Sequence, residues 1–472
     1  MAVLAVFFQH LGDAHLPFVR SRVAGALPEA VVPWVMTVLH HAHWGVDLFF
    51  VLSGFSLAQP ILGRAYRAVE QPQGDPRSPA DSVARGDSGQ GHSGGGAAIF
   101  GPPLGGLLHS AEAEPRKAGR SPEPSRSDRG DPLSFRAWGE SFFLRRAARL
   151  YPAYLAALLL VIASVPAVRQ HPSFGASLAA HLALIQGYWL PSGLAIIGAA
   201  WSLTTEVTFY AVWPLLAPRI LSGPQGPGGA TGPLAGGATG PSADRVTGTL
   251  VRRATPWLAG LLVVAFVWKL RSALHDVALA PSAPPGLLEA TQRRWAVCRL
   301  DQFVLGALGA SLHARLMRSP RRAALLRAAP LLVVAAAISL VPAFYLEGAL
   351  YPEPGGAWPY ALVSLSTGAL VFASASVPER AATWMFPAPL RWVGVVSYGV
   401  FLHHQLALGA TARLAGAPGT WGAFATHAIP ALALSLLLGW ISWVAVERPA
   451  IEWASRKAAA RRRESGTELR PR

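Results

Sequence analysis

HWGVDLFFVLSGFSLAQPI, residues 43–61, carries a single acidic side chain, Asp47, and no Lys or Arg. As a helix rising 1.5 Å per residue, such a run covers most of the roughly 30 Å hydrocarbon core of a bilayer. Runs of the same character recur on both sides of it. Candidate spans fall at 1–11, 45–62, 142–167, 201–217, 256–271, 299–316, 324–345, 358–376, 394–412 and 427–446. One further run, 177–199, is interrupted by Pro191 and Gly193 and reads as a re-entrant or interfacial piece. The expected fold class is therefore all-α: a polytopic integral membrane helix bundle of about ten transmembrane helices.

Composition agrees. Of 472 residues, 52% are hydrophobic and 14% charged, whereas a soluble domain carries roughly 25% charged residues. The glycines have no period of three, which excludes collagen. The one cysteine, Cys298, excludes an internal disulfide or a cysteine-based zinc site. A formal net charge of +16 does not point to nucleic acid, because the arginines cluster between the apolar runs, where they orient a membrane protein. The segment after the second span holds Arg64, Arg67, Arg77, Arg85, Arg116, Lys117, Arg120, Arg126, Arg129 and Arg136. Arg252 with Arg253, Arg315 to Arg322, and Arg461 to Arg463 mark later inside segments, and 346–357 has no Lys or Arg. Arg293 and Arg294 oppose the scheme. The balance places both termini in the cytoplasm. The opening MAVLAVFFQHLG has no basic region ahead of it and reads as part of a first span, not a removable signal.

Two stretches cannot bury enough apolar surface to offset the entropy of ordering. Residues 70–132 are rich in Pro, Gly, Ser and charge; 221–244 repeats GGATGP and reads as a flexible linker. The chain accordingly divides into a first membrane part (1–62), a disordered cytoplasmic insert (63–140), more membrane domain (141–220), a Gly/Pro-rich linker (221–250), the remaining membrane domain (251–453) and a basic cytoplasmic tail (454–472).

Ionisable groups within apolar runs are costly and mark candidate sites. They are His10, Asp47, Glu206, Asp301, His403, His404 and Glu447. Arg299 and Asp301, at i and i+2, do not face each other on a helix and must pair elsewhere. Glu447 and Arg448 close the last span, where snorkelling explains them. Ser53 and Gly54 read as close-packing positions. His40, His41 and His43 read as a solvated outer loop.

These residues sit in the blocks GVDLFFVLSGF (45–55), SFFLRRAARLYPAYL (141–155), WSLTTEVTFY (201–210), RLDQFVLGALGA (299–310), SYGVFLHH (397–404) and WVAVERPA (443–450). In that order the chain resembles the membrane acyltransferase-3 family, polytopic O-acyltransferases of bacterial envelopes and some secondary metabolites. The resemblance implies an acyltransferase using acyl-CoA, chiefly acetyl-CoA, as co-substrate, with no tightly bound cofactor or metal. The acceptor would be a hydroxyl of a saccharide, lipid-linked glycan or natural product, and the setting the inner membrane of a bacterium. It also implies that His10 matches a catalytic first-span histidine and His404 a second family histidine. Arg145, Arg146 and Arg149 match a block important for activity and are expected to hold CoA phosphates through their forked donors. The arginine the family carries eleven positions before its histidine would fall just ahead of Met1. The run before His10 is too short to span, so an upstream start is expected; the alternative is a copy without that arginine.

Neutral imidazole suits the removal of a hydroxyl proton. His10 is the expected base, Glu206 is expected to orient it or steady its cation, and Asp47 to tune the site. The competing reading is a proton-coupled transporter built on the same His, Asp and Glu; the absence of an internal repeat weighs against it. A third is an inactive relative that only binds its glycan or partner.

Overall fold

The computed structural model describes residues 2–26, 31, 32, 36, 44–70, 135–188, 196–221, 257–271, 295–350, 357–415 and 420–464. Among them every regular element is helical. In chain order these are α1 (Ala2–Ala14), α2 (Leu16–Ala26), α3 (Trp44–Glu70), α4 (Phe135–Ser164), α5 (Pro166–Gln170), α6 (Phe174–Leu182) and α7 (Trp201–Leu221). They continue with α8 (257–271), α9 (Leu300–Met317), α10 (Arg322–Leu350), α11 (Ala357–Ala375), α12 (Glu379–Met385), α13 (Ala388–Ala415) and α14 (Trp421–Ser442). A π-helical turn, Trp443–Glu447, joins α14 to α15 (Arg448–Glu464).

Each of the ten expected apolar runs falls on one of these helices. Among the described residues three helices are long and apolar enough to cross a membrane: Glu140–Ser164, Arg322–Leu346 and Trp421–Arg461. The pair α12–α13, bent by 80° at its break, makes a fourth if it is one span. Ala2–Gly12, Gly45–Gln59 and Tyr360–Ala375 are shorter apolar helices. The run 177–199 is not one helix; α6 and two 3₁₀ turns, Gln186–Tyr188 and Gly198–Ala200, occupy its described parts. Of the expected insert 63–140, residues 63–70 prolong α3 and 135–140 open α4, while 71–134 lie outside the described residues; of the expected linker 221–250, Leu221 ends α7 and 222–250 lie outside them.

The centre of the bundle is the crossing of α3 with α9, against which α11, α7 and α1 pack. Two glycines make the crossing possible. A Cβ on Gly54 would stand 2.0 Å from the Phe303 carbonyl oxygen, and one on Gly306 would stand 2.1 Å from that of Val51. Small residues at a helix contact let backbones approach to this degree. The reading of Gly54 as a packing position holds. Phe303, fully buried, fills the space beside the crossing: its ring stacks on Phe209 at 3.8 Å between centroids and lies 5.1 Å from Phe50.

Local signals set the ends. Thr420 accepts a hydrogen bond from the Ala423 amide and caps α14. At the end of α4 the Arg169 guanidinium donates to the carbonyls of Ile162 and Ala163, which have lost their helical partners. Pro152 sits within α4 without ending it.

Replacing Gly306 by Ala should force the α3–α9 crossing apart and cost about 1–3 kcal/mol, the usual penalty of overpacking. Gly409, whose Cβ would meet nothing within 4 Å, is the control, and Gly409→Ala should be neutral or slightly stabilising. Thermal unfolding of the detergent-solubilised proteins compares the two, and equal melting temperatures would show that the crossing is not tight.

Candidate functional site

His10 lies one turn from the end of α1, half-buried, and its imidazole meets α13. Its Nδ1 is 2.9 Å from the Val6 carbonyl oxygen and 3.2 Å from Nε2 of His404. The rings are 4.9 Å apart and tilted by 53°. His404 is buried and its Nδ1 donates to the Phe401 carbonyl at 2.7 Å. These contacts decide both tautomers. A carbonyl only accepts, so Nδ1 of His404 bears its hydrogen and Nε2 its lone pair. The hydrogen of His10 must then be on Nδ1, shared between Val6 and His404, which leaves the lone pair on Nε2. An imidazole held in this way is a ready base, and the two acceptors at Nδ1 steady the cation it becomes.

Glu206, expected to play that supporting part, is elsewhere. Its carboxylate accepts from Ser53 Oγ at 2.8 Å and from the Tyr210 hydroxyl. Ser53 is thus a hydrogen-bond donor to an acid as well as a packing residue. The Tyr210 ring also carries the Arg146 guanidinium 5.0 Å from its centroid. Arg146 therefore turns towards α7, whereas Arg145 and Arg149, one turn apart, share another face of α4. Arg149 is exposed and acts electrostatically on Glu447.

Glu447 itself needs a correction. Snorkelling to the interface does not describe it: the side chain is 3% exposed and accepts from Ser442 Oγ at 2.8 Å within the π turn. The extra residue of that turn swings position 447 inwards. Its neighbour Arg448 does reach solvent and pairs with Glu452 at 2.8 Å.

Asp47, in the first turn of α3, is buried and forms an ion pair with Arg299 at 2.5 Å; Gln302 Nε2 donates to the same oxygen at 2.8 Å. Asp301 pairs with Lys269 of α8 at 2.6 Å. Arg299 and Asp301 thus pair elsewhere, as their spacing requires. The two ion pairs lie within electrostatic reach of one another. Tyr360 presents its ring to both cations, 5.2 Å from Arg299 and 5.3 Å from Lys269. The helix that carries Asp47 meets the histidine pair through rings: Phe49 is 5.9 Å from Phe401, which is 6.0 Å from His404.

Sequence reasoning passed over His15, which sits in the turn after α1, is buried, and has Nε2 in a short contact with Nδ1 of His427. His427 Nε2 donates to the Leu408 carbonyl at 3.1 Å, so His427 Nδ1 accepts and His15 Nε2 donates. Burial, and then the neighbouring His427, lower the His15 pKa below 6.5. No pattern could reveal a contact spanning 412 positions. Among the described residues no three His, Cys, Asp or Glu side chains are arranged to hold a metal ion. His40, His41 and His43 lie outside the described residues.

The model of the acyltransferase-3 family, an acyltransferase domain, matches residues 136–444. That region contains α4 to α14; α1 and α3, with His10 and Asp47, precede it. No curated protein and no solved structure matches the chain.

Nitrogen-15 spectra of histidine-labelled protein above pH 7.5 should show His10 as the Nδ1–H tautomer, and an Nε2–H signal would refute the assignment. His15 is more easily protonated unfolded than folded, so stability should be full above pH 6.5 and decline as pH falls below it. Melting temperatures from pH 8 to 5 should fall less steeply for His15→Gln than for the parent.

Proposed function

The chain belongs to the acyltransferase-3 family, and within that membrane acyltransferase class we propose that it moves an acetyl group from acetyl-CoA to a hydroxyl of a saccharide or glycolipid. The observation that carries the reading is the His10 imidazole with its lone pair fixed on Nε2. In the proposed step that nitrogen takes the hydroxyl proton as the oxygen attacks the thioester carbonyl. The C–S bond then breaks and the proton passes from His10 to the departing CoA thiolate. The cation formed in between is held by the Val6 carbonyl and by the neutral His404, so His404 is a positioning residue. Nothing found among the comparisons supports a transporter.

The proposed topology is ten crossings with both termini in the cytoplasm, for which the clustered arginines argue. Arg145 and Arg149 would then stand at the cytoplasmic end of α4, able to hold CoA phosphates. Arg146, engaged with Tyr210, is assigned to the link between that mouth and Glu206.

Membrane vesicles containing the protein, given labelled acetyl-CoA and envelope glycolipid, test the reading. His10→Ala should lower transfer by about 10²- to 10⁴-fold, the usual weight of a general base, while insertion is unchanged. His404→Leu should reduce kcat about tenfold, and His404→Gln, which retains an acceptor, should recover most of it. The double change Arg145→Gln with Arg149→Gln should raise KM for acetyl-CoA. Substantial transfer by His10→Ala would sink the base assignment.

A further inference from the structure

Helix α14 does not stop at the edge of the hydrocarbon. With the π turn and α15 it forms one run, Trp421–Arg461, of 41 residues. At 1.5 Å per residue that is about 60 Å, roughly twice the depth of the apolar core. Trp421 and Trp453 are both exposed and stand about 48 Å apart along the run, close to the roughly 40–45 Å of a bilayer with its headgroups. Indole rings settle at the two interfaces of a membrane. Trp453 therefore marks the level at which the helix passes through the headgroups, and the next turn carries Arg456 and Lys457.

The two sides of α15 differ. Ala454 and Ala458, one turn apart, are buried on the side that packs on α4, where Arg461 also pairs with Glu140 at 3.6 Å. Trp453, Arg456 and Lys457 stand on the opposite side, away from α4 and its arginines. The Arg456 side chain is 72% exposed, and Lys457 Nζ lies 4.9 Å from the centre of the Trp453 ring. The helix carries six cations and two acids. One of those acids, Glu452, is already shared by Arg448 at 2.8 Å and Arg456 at 3.9 Å. A second surface of the same kind lies at the same end of the bundle. Helices α13 and α14 run antiparallel, with Gly399 packed on Gly439 and the Leu408 carbonyl on His427. The start of α13 is thus beside the end of α14, and α12, which leads into α13, shares that end with α15. The 80° bend between α12 and α13 lays α12 across it. Ala381, Ala382 and Met385 of α12 pack on the α10–α11 cluster around Ala329 and Ala373. Arg380 and Trp384, again one turn apart, face outwards, Trp384 with 89% of its surface exposed.

We propose that the outer face of α15, Trp453 with Arg456 and Lys457, binds the headgroups of anionic phospholipids, and that Arg380 and Trp384 of α12 dock on the same leaflet. An indole with a cation one turn away matches a surface that is apolar below and negative above. The ring lies where the acyl chains end, and the cation reaches the phosphates, as basic segments that flank a span do on a negatively charged leaflet. A soluble anion would draw on the charges and leave the outward tryptophans without a use. The proposal rests on the membrane class of the chain and is independent of the acetyl-transfer reading.

The full-length protein in neutral detergent is titrated with phosphatidylglycerol or phosphatidylcholine at equal mole fraction, and the lipid retained is counted by native mass spectrometry. Phosphatidylglycerol should be held at least about fivefold more tightly, and the preference should shrink as salt is raised. The double change Arg456→Gln with Lys457→Gln should bring phosphatidylglycerol down to the level of phosphatidylcholine. Arg456→Lys with Lys457→Arg, which keeps the charge, should retain the preference. Arg380→Gln with Trp384→Ala leaves α15 untouched and should lower the number of phosphatidylglycerol molecules retained, so it keeps the test open if the first variant fails to fold. Equal retention of the two lipids, or an unchanged preference in both glutamine variants, would overturn the proposal. So would displacement of the lipid by millimolar inorganic phosphate at constant ionic strength, which would mark a site for soluble anions. Dimers that dissociate in the Arg456→Gln, Lys457→Gln protein would instead assign the face to a second copy of the chain.

Discussion

The buried ion pair between Asp47 and Arg299 fixes the rest of the bundle. Two charges taken out of water are tolerable only when each is neutralised and its remaining hydrogen-bonding capacity is met. Removing either partner typically costs 3–5 kcal/mol, because the other is left as an uncompensated charge. Here the condition draws in four further side chains. Gln302 completes the Asp47 oxygen, Lys269 brings α8 to Asp301, Trp201 of α7 places its ring 5.7 Å from the Arg299 guanidinium, and Tyr360 of α11 covers both cations. The first turn of α3 is therefore anchored from α7, α8, α9 and α11 at once.

With its first turn fixed, α3 works as a ladder. At Gly45 the α1 backbone comes so close that a Cβ would stand 2.3 Å from the Ala2 carbonyl oxygen; α1 is thereby set, and with it His10. Two turns further along α3, Ser53 holds Glu206, and through Tyr210 the line continues to Arg146 on α4. From Asp47 to Ser53 the helix rises about 9 Å at 1.5 Å per residue. On the proposed reading, the CoA mouth near Arg145 and Arg149 is joined to the histidine pair by this polar line. The acyl thioester would travel along α3, with Glu206 lining the way rather than assisting the base.

The fold was legible because it is written in runs. Lipid demands long apolar helices, and arginines collect where those helices end, so the all-helical class and the positions of ten helices could be read one segment at a time. Asp47, Glu206 and His404 stood out for the related reason that a polar group in an apolar run is costly. What stayed hidden was partnership. That His10 would meet His404 rather than Glu206, or Asp301 meet Lys269, depends on contacts across hundreds of positions or tens of them, and periodicity does not carry that information. Glu447 was misread for a different reason. A helical wheel assumes 3.6 residues per turn, and one π turn at 443–447 shifts every later side chain to another face.

That turn bears on how the proposed co-substrate is held. Had the last helix stayed regular, Glu447 would face outwards and Arg149 would present its full charge to a phosphate. With Glu447 turned inwards, part of the field of Arg149 is offset, and Arg146 is already occupied by the Tyr210 ring. The basic block is thus a tempered cluster and not three free cations. A co-substrate that must bind, surrender its acyl group and leave as free CoA in every cycle gains nothing from being held too tightly, because binding that is equal in the ground and transition states does not speed the chemical step. On the proposed reading, Arg149 beside the inward Glu447 and Arg146 under the Tyr210 ring would attract a phosphate-bearing donor less strongly than three free cations.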